Sequence, residues 1–158
     1  MSFNRFPSFD EESSQIFFSS EEISFGLEDE TVTGEWLKKV IGREEKYLRS
    51  LNFIFCSDEY LHKINVEYLQ HDTYTDIITF PLAEDPNIEG DIFISIDRIQ
   101  ENASKFNVDF ENELNRVLAH GVLHLCGWGD KTEEEAKQMR YKENGALQLL
   151  SSMRNFVD

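Results

Sequence analysis

The chain has 158 residues, a formal net charge of −16, 40% apolar residues and 13% aromatic residues. That length suits one domain, the apolar supply excludes a disordered chain, and no apolar run approaches the ~18–20 residues needed to span a bilayer. The acidic balance excludes bulk charge as a source of nucleic-acid affinity, which comes largely from Lys and Arg. Any phosphate contact would have to come from a local patch acting within a Debye length of about 8 Å.

The N-terminal stretch MSFNRFPSFDEESSQ has no basic patch followed by an apolar run. The reading is therefore of a chain without a secretory signal, with its first dozen residues frayed. Cys56 and Cys126 lie far apart, which points to a reduced, cytoplasmic protein with two buried thiols.

Gln15–Phe18 reads as a short strand. Thr33 to about Lys46 reads as a helix with Trp36, Leu37, Val40 and Ile41 as its apolar stripe, weakened in its middle by Gly42. Leu51–Cys56 (LNFIFC) is rich in strand formers and suits an inner strand. Ser57 is placed to cap a helix from Asp58 to about Leu69. Asp76–Phe80 (DIITF) reads as a strand stopped by Pro81, and Asp91–Ile96 (DIFISI) as another, entered through Gly90. Asp97 then caps a helix to about Phe106. Two long helices follow. One runs from Glu111 to Cys126. The other runs from about Thr132 to Met153, carrying Ala136, Met139, Tyr141, Leu147 and Leu150, with three glutamates on its positive end. The expectation is an α+β fold: a single domain over residues 1–158, with a small mixed four-stranded sheet covered by about five helices.

The chemistry concentrates between Arg116 and Asp130. His120 and His124 are four apart on a predicted helix. That spacing puts both imidazoles on one face, with Cβ atoms about 5–6 Å apart. Gly127 can adopt the left-handed conformation that ends a helix and turns the chain back, and Gly129 is a second permissive position. The turn can return Asp130 to the histidine pair. His120, His124 and Asp130 would then supply three ligands to one Zn²⁺ ion and leave a fourth position for water, as at a catalytic zinc centre. The alternative is a core helix whose histidines are satisfied by hydrogen bonds. The zinc proteases carry HExxH, whose glutamate takes a proton. Gly121 stands at that position here, which argues against peptide hydrolysis by that route. RNA carries its own internal nucleophile, the 2′-OH.

These residues, with those upstream, resemble the YbeY family of bacterial endoribonucleases and rRNA maturation factors. The family's HGxLHLxGxxH motif is matched by His120 to Asp130 (HGVLHLCGWGD). Its N-x-x-Y…TDVLSFP stretch is matched by Asn65 to Pro81 (NVEYLQHDTYTDIITFP), and its GDI strand by Gly90 to Ser95. The matches run in order over about residues 50–150. The resemblance implies one α+β domain, a bound metal ion taken to be zinc, and cleavage of single-stranded RNA. It also implies a role in small-subunit ribosomal RNA processing and ribosome maturation. Two departures stand out. The third ligand position is usually His and is Asp130 here. Asp is a competent zinc ligand, but its added negative charge makes the site less electrophilic. The loop after Tyr68 has Leu69 and His71 where the family typically has Arg and often Lys, which leaves the substrate groove short of positive charge.

Arg116 and His120 are the candidates for direct participation in catalysis. Arg116 lies one turn before His120 and either holds phosphate, orients Asp130 or forms a salt bridge. His71 is either a proton donor or a solvated loop residue. Asp76 reads as structural, bonding backbone or a ligand histidine. Cys126 reads as a buried apolar group, and Trp128 as packing, a metal shield or a base-stacking ring. The reading that unites these features is a zinc-dependent, single-strand-specific endoribonuclease acting on ribosomal RNA with the small ribosomal subunit as partner. The alternatives are a ribosome-associated binding factor with a structural metal and a zinc hydrolase of another substrate.

Overall fold

The computed structural model describes residues 15–157; the frayed start expected for the first dozen residues lies outside them. The sheet is built from β1 (Ile16–Glu21), β2 (Tyr47–Cys56), β3 (Ile77–Pro81) and β4 (Asn87–Ser95). Its order is β1-β2-β4-β3. β1 and β4 run parallel to β2, and β3 closes the edge antiparallel to β4. Five helices cover it: α1 (Glu30–Arg43), α2 (Asp58–Leu69), α3 (Ile96–Phe106), α4 (Phe110–Leu125) and α5 (Glu133–Val157). The architecture is α+β, with the mixed four-stranded sheet and five helices expected.

Each strand divides its side chains between two faces. Leu51, Phe53 and Phe55 of β2 and Ile88, Ile92 and Ile94 of β4 pack into the main core with Trp36, Leu37 and Ile41 of α1 and Leu118 and Val122 of α4. The opposite face holds a smaller cluster, Cys56, Ile78, Leu61 and Ile64, under α2. Trp36 is fully buried, and its Nε1 donates to the Ala146 carbonyl at 2.8 Å, fastening α1 to α5. Both cysteines are buried free thiols, and burial pushes each thiol up to about 12.

The element boundaries differ from the sequence expectations where a cap decides them. α1 starts a turn earlier than Thr33 because the Asp29 carboxylate accepts from the Val32 N–H at 3.0 Å. It also ends at Arg43, so Gly42 lies in its last turn and not its middle. β4 starts at Asn87 and feeds directly into α3, whose cap is Ser95, accepting from the Arg98 N–H at 3.0 Å. Asp97 is not the cap; its carboxylate accepts from the Asp58 N–H at 2.9 Å and ties α3 to α2. Thr132 and Glu135 open α5 with reciprocal side-chain-to-backbone bonds at 3.0 and 3.3 Å, a capping box. Along α5, Tyr141 is exposed, as is Ala136. The buried stripe is Met139, Glu143, Ala146 and Leu150.

Candidate functional site

α4 is the scaffold of the site. Leu114, Leu118 and Val122 bury its apolar side in the main core. Gly121 brings the helix close to the sheet: a Cβ there would stand 2.9 Å from Ile77 Cδ1 and 3.3 Å from Ile92 Cδ1. The position that carries glutamate in HExxH therefore faces the sheet core, where no carboxylate could reach a neighbouring ion. His120 and His124 lie on the adjacent side.

The helix ends as the glycine pattern predicts. Gly127 has φ +110°. Its N–H donates to His124 O at 3.0 Å, and the Trp128 N–H donates to Leu123 O at 3.1 Å. This paired closure is a Schellman turn. It sends the chain back so that Asp130 Oδ2 lies 3.2 Å from His120 Nε2.

The two imidazoles are nearly parallel, 7° apart with centroids separated by 6.3 Å. Each is held by Nδ1. His120 Nδ1 lies 2.8 Å from Glu143 Oε2, and His124 Nδ1 lies 3.1 Å from the Trp128 carbonyl. A carbonyl oxygen can only accept, and so can an ionised carboxylate, so both Nδ1 atoms carry the proton and both Nε2 atoms are left to other partners. Metal-binding histidines are oriented in this way. Two imidazole nitrogens with an adjacent carboxylate also suit a borderline cation such as Zn²⁺. By chemical type the donors suit the ion. Among the described residues, no three His, Cys, Asp or Glu side chains already converge on a ready-made ion position.

The histidines open into a cavity of about 390 Å³. Its walls are Thr75 to Ile77 and Thr79 at β3, Glu113, Arg116 and Val117 on α4, Asp130 and Lys131 in the turn, and Glu143 on α5. The β3 side is positioned by buried Asn65, whose Nδ2 donates to the Thr73 carbonyl at 2.9 Å. Burial pushes the Asp76 carboxyl above its ordinary range, with nearby His120 opposing the shift. Glu113 is raised by burial and then by Asp76, with Arg116 opposing. Burial works to raise Glu143, but hydrogen bonds from His120 and Arg116 outweigh it and hold the carboxyl low. Burial works to lower His120, and Glu143, Asp130 and Asp76 outweigh it to raise the imidazole.

The sequence reading missed Glu113, Lys131 and Glu143 in the cavity wall, and of these Glu143 is the one that orients a histidine. It is the one charged member of the buried stripe of α5, and an ionisable residue at an apolar position of an amphipathic helix was the available signal. Arg116 forms the salt bridge among its three alternatives: Nη1 donates to Glu143 at 2.9 Å and Nη2 to Asn144 Oδ1 at 2.9 Å. Asp76 lies in the cavity wall. His71 is exposed, and neither it nor Leu69 borders the cavity. Trp128 packs sideways, donating from Nε1 to Glu44 at 2.8 Å with Lys142 Nζ 4.7 Å from its ring centroid. Its contribution at the histidines is its carbonyl. Cys126 is buried, as its helical angle implied.

Comparison with known proteins agrees with this geometry. Residues 15–151 match the family described as Endoribonuclease YbeY. A protein of that name from Flavobacterium johnsoniae is 55% identical over 128 residues, covering 81% of this chain and 92% of the relative. One from Christiangramia forsetii is 52% identical over 138 residues, covering 87% and 96%. The solution structure of TM1509 from Thermotoga maritima superposes with a TM-score of 0.64 at 26% identity, covering 89% of this chain and 91% of that one. With the matched segment spanning the sheet, the paired histidines and the Asp130 turn alike, the chain belongs to the YbeY family of endoribonucleases.

Proposed function

We propose that this protein is a zinc-dependent endoribonuclease that cleaves single-stranded RNA, with small-subunit ribosomal RNA as its substrate in ribosome maturation. The observation that carries the proposal is the pair of Nδ1 hydrogen bonds, 2.8 Å to Glu143 and 3.1 Å to the Trp128 carbonyl, which leaves both Nε2 atoms to other partners, with that of His120 3.2 Å from Asp130. His120, His124 and Asp130 would hold the ion. A bound Zn²⁺ supplies Lewis acidity for a phosphoryl oxygen and lowers the pKa of water.

The chain's own groups do the rest. Glu143 fixes the His120 tautomer and holds Arg116 at the cavity wall. Arg116 thereby acts on the position of His120 instead of waiting free for substrate. Gly121 seats α4 on the sheet and sets the depth of the histidine pair. Asp76, half-buried in the wall with its carboxyl raised, is placed to hold or return a proton where HExxH enzymes use glutamate.

The test combines elemental analysis of gently purified protein with cleavage of single-stranded ribosomal RNA fragments, wild type against His124→Ala. About one zinc per chain, and cleavage lost with the histidine, is the expected result. Equal residual cleavage by the two proteins would refute the enzyme reading. Stoichiometric metal without cleavage would instead favour a ribosome-binding factor with a structural ion, and chelator-sensitive turnover of another substrate would favour a different hydrolase.

A further inference from the structure

We propose that Lys131 holds the phosphate of the RNA substrate, taking the place of a cation that neither Arg116 nor the Leu69 loop provides. This inference rests on the endoribonuclease reading and names the group that binds the substrate anion.

The cavity is lined by the carboxylates Asp76, Glu113, Asp130 and Glu143 and by two cations, Arg116 and Lys131. Four acids against two bases would repel a phosphodiester unless at least one base were free to meet it. Arg116 is not free. Both terminal nitrogens of its guanidinium are taken at 2.9 Å by Glu143 and Asn144, and its side chain is only 20% exposed. Breaking that arrangement to reach substrate would also release the carboxylate that orients His120. Arg140 lies 3.9 Å from Glu143, is 64% exposed and is not part of the cavity wall.

Lys131 is placed differently. It directly follows Asp130, so it is delivered by the same Schellman turn. Its backbone N–H is tied to Glu135 Oε1 at 3.0 Å at the head of α5, which fixes where the side chain begins. Among the described residues its ammonium forms no ion pair, and it borders the cavity. A compact ammonium on a flexible stem suits a single phosphate oxygen as a point charge. The placement also balances the site chemically. Asp130 brings a negative charge where an imidazole would bring none, and the next residue brings a positive one to the same rim.

The experiment is equilibrium binding of a single-stranded RNA oligomer, 2′-O-methylated so that it cannot be cleaved, to the full zinc-loaded chain over a series of salt concentrations. Wild type is compared with Lys131→Ala, Lys131→Arg and the remote control Lys105→Ala, which removes the same charge from the exposed end of α3. Lys131→Ala is expected to weaken binding about two- to fivefold and to reduce the salt slope by about 0.7, the value for one phosphate contact on a single strand. Lys131→Arg should keep both near wild type, and Lys105→Ala should change neither. Lys131→Ala matching Lys105→Ala in affinity and slope would overturn the inference and leave the endoribonuclease reading intact, as would an equal loss in Lys131→Arg. Wild type that fails to bind the oligomer at any salt concentration would overturn both. Melting temperatures of the variants should match wild type, because the Lys131 side chain is exposed and forms no ion pair among the described residues.

Discussion

Glu143 offers the sharpest test of how this site is built. Its side chain is 8% exposed and serves two cations at once, Arg116 Nη1 at 2.9 Å and His120 Nδ1 at 2.8 Å. Removing one partner of a fully buried pair costs about 3–5 kcal/mol. Arg116 and His120 keep 20% and 24% exposure, and each retains another acceptor, Asn144 or Asp130, so about 2 kcal/mol is the fitting figure for Glu143→Gln. In a chain of this size that is a fall of roughly 4–8 °C in Tm. The sign of the pH dependence follows from the two shifts. Glu143 is held below its ordinary 4.5, so its contribution is present above that value and is lost as pH falls through the lowered one. His120 is raised above its ordinary 6.5, so its contribution is complete below that value and is lost as pH rises through the raised one. The gap between wild type and Glu143→Gln should therefore be widest near about pH 5.5 and narrower at a pH above the raised value, where His120 donates to Glu143 as a neutral imidazole and only Arg116 remains charged. Thermal melts in chelator at both pH values measure it. The glutamine amide would also face His120 with a donor, favouring the tautomer that puts the proton on Nε2. Zinc affinity should fall about 10–100-fold, read by competition with a chromophoric chelator. Melts within a degree of wild type at both pH values, or zinc affinity unchanged, would refute this account of Glu143.

Two further outcomes follow from the packing around the cavity. Gly90→Ala would set a Cβ 2.5 Å from the Phe80 carbonyl oxygen across the β3–β4 pair. Backbone cannot yield without parting the strands, so a loss of about 2–3 kcal/mol is expected; Gly121→Ala meets only movable Ile77 and Ile92 side chains and regains about 1 kcal/mol of helix propensity, so chemical denaturation should rank it the milder. Asp76→Asn should stabilise the metal-free protein at neutral pH and slow cleavage. The raised carboxyl makes wild type lose stability as pH climbs from the ordinary 3.8 through the raised value, by ~1.4 kcal/mol for every tenfold change in proton affinity on folding, and the amide has no such loss. A melt in which the two proteins differ equally at about pH 3.5 and about pH 7 would contradict that assignment.

Much of this arrangement could be read before any coordinates because it is local. Strand and helix identities follow from apolar periodicity, and the turn that returns Asp130 follows from Gly127, whose φ of +110° is the conformation its position requires. The boundaries moved where a short polar side chain competed for the same N–H groups, as when Ser95 and not Asp97 capped α3. Glu143 was illegible for a different reason. Its partners Arg116 and His120 lie 27 and 23 residues earlier on another helix, and no local rule pairs α4 with α5. The same separation hid the fate of Arg116, for which the sequence allowed three roles and the ion pair with Glu143 selects one.

The cavity also accounts for how so acidic a chain can serve RNA. A net charge of −16 keeps nucleic acid at a distance everywhere that charge is unscreened, so affinity has to be generated within about 8 Å of the reacting phosphate. Carboxylates gathered around His120 and His124 oppose an anion while they are bare, and they favour a divalent cation for the same reason. Cation capture and substrate binding would therefore reinforce each other: an ion between the histidines and Asp130 would remove the repulsion that Asp76, Glu113 and Asp130 otherwise impose, and Lys131 at the rim would then meet a neutralised wall. On this argument RNA affinity should depend on bound metal far more steeply than in a protein whose groove is basic throughout. The physical reason is that the first positive charge entering this cavity cancels negative charge the chain itself supplies, and only the charge added after it is left to attract a phosphate.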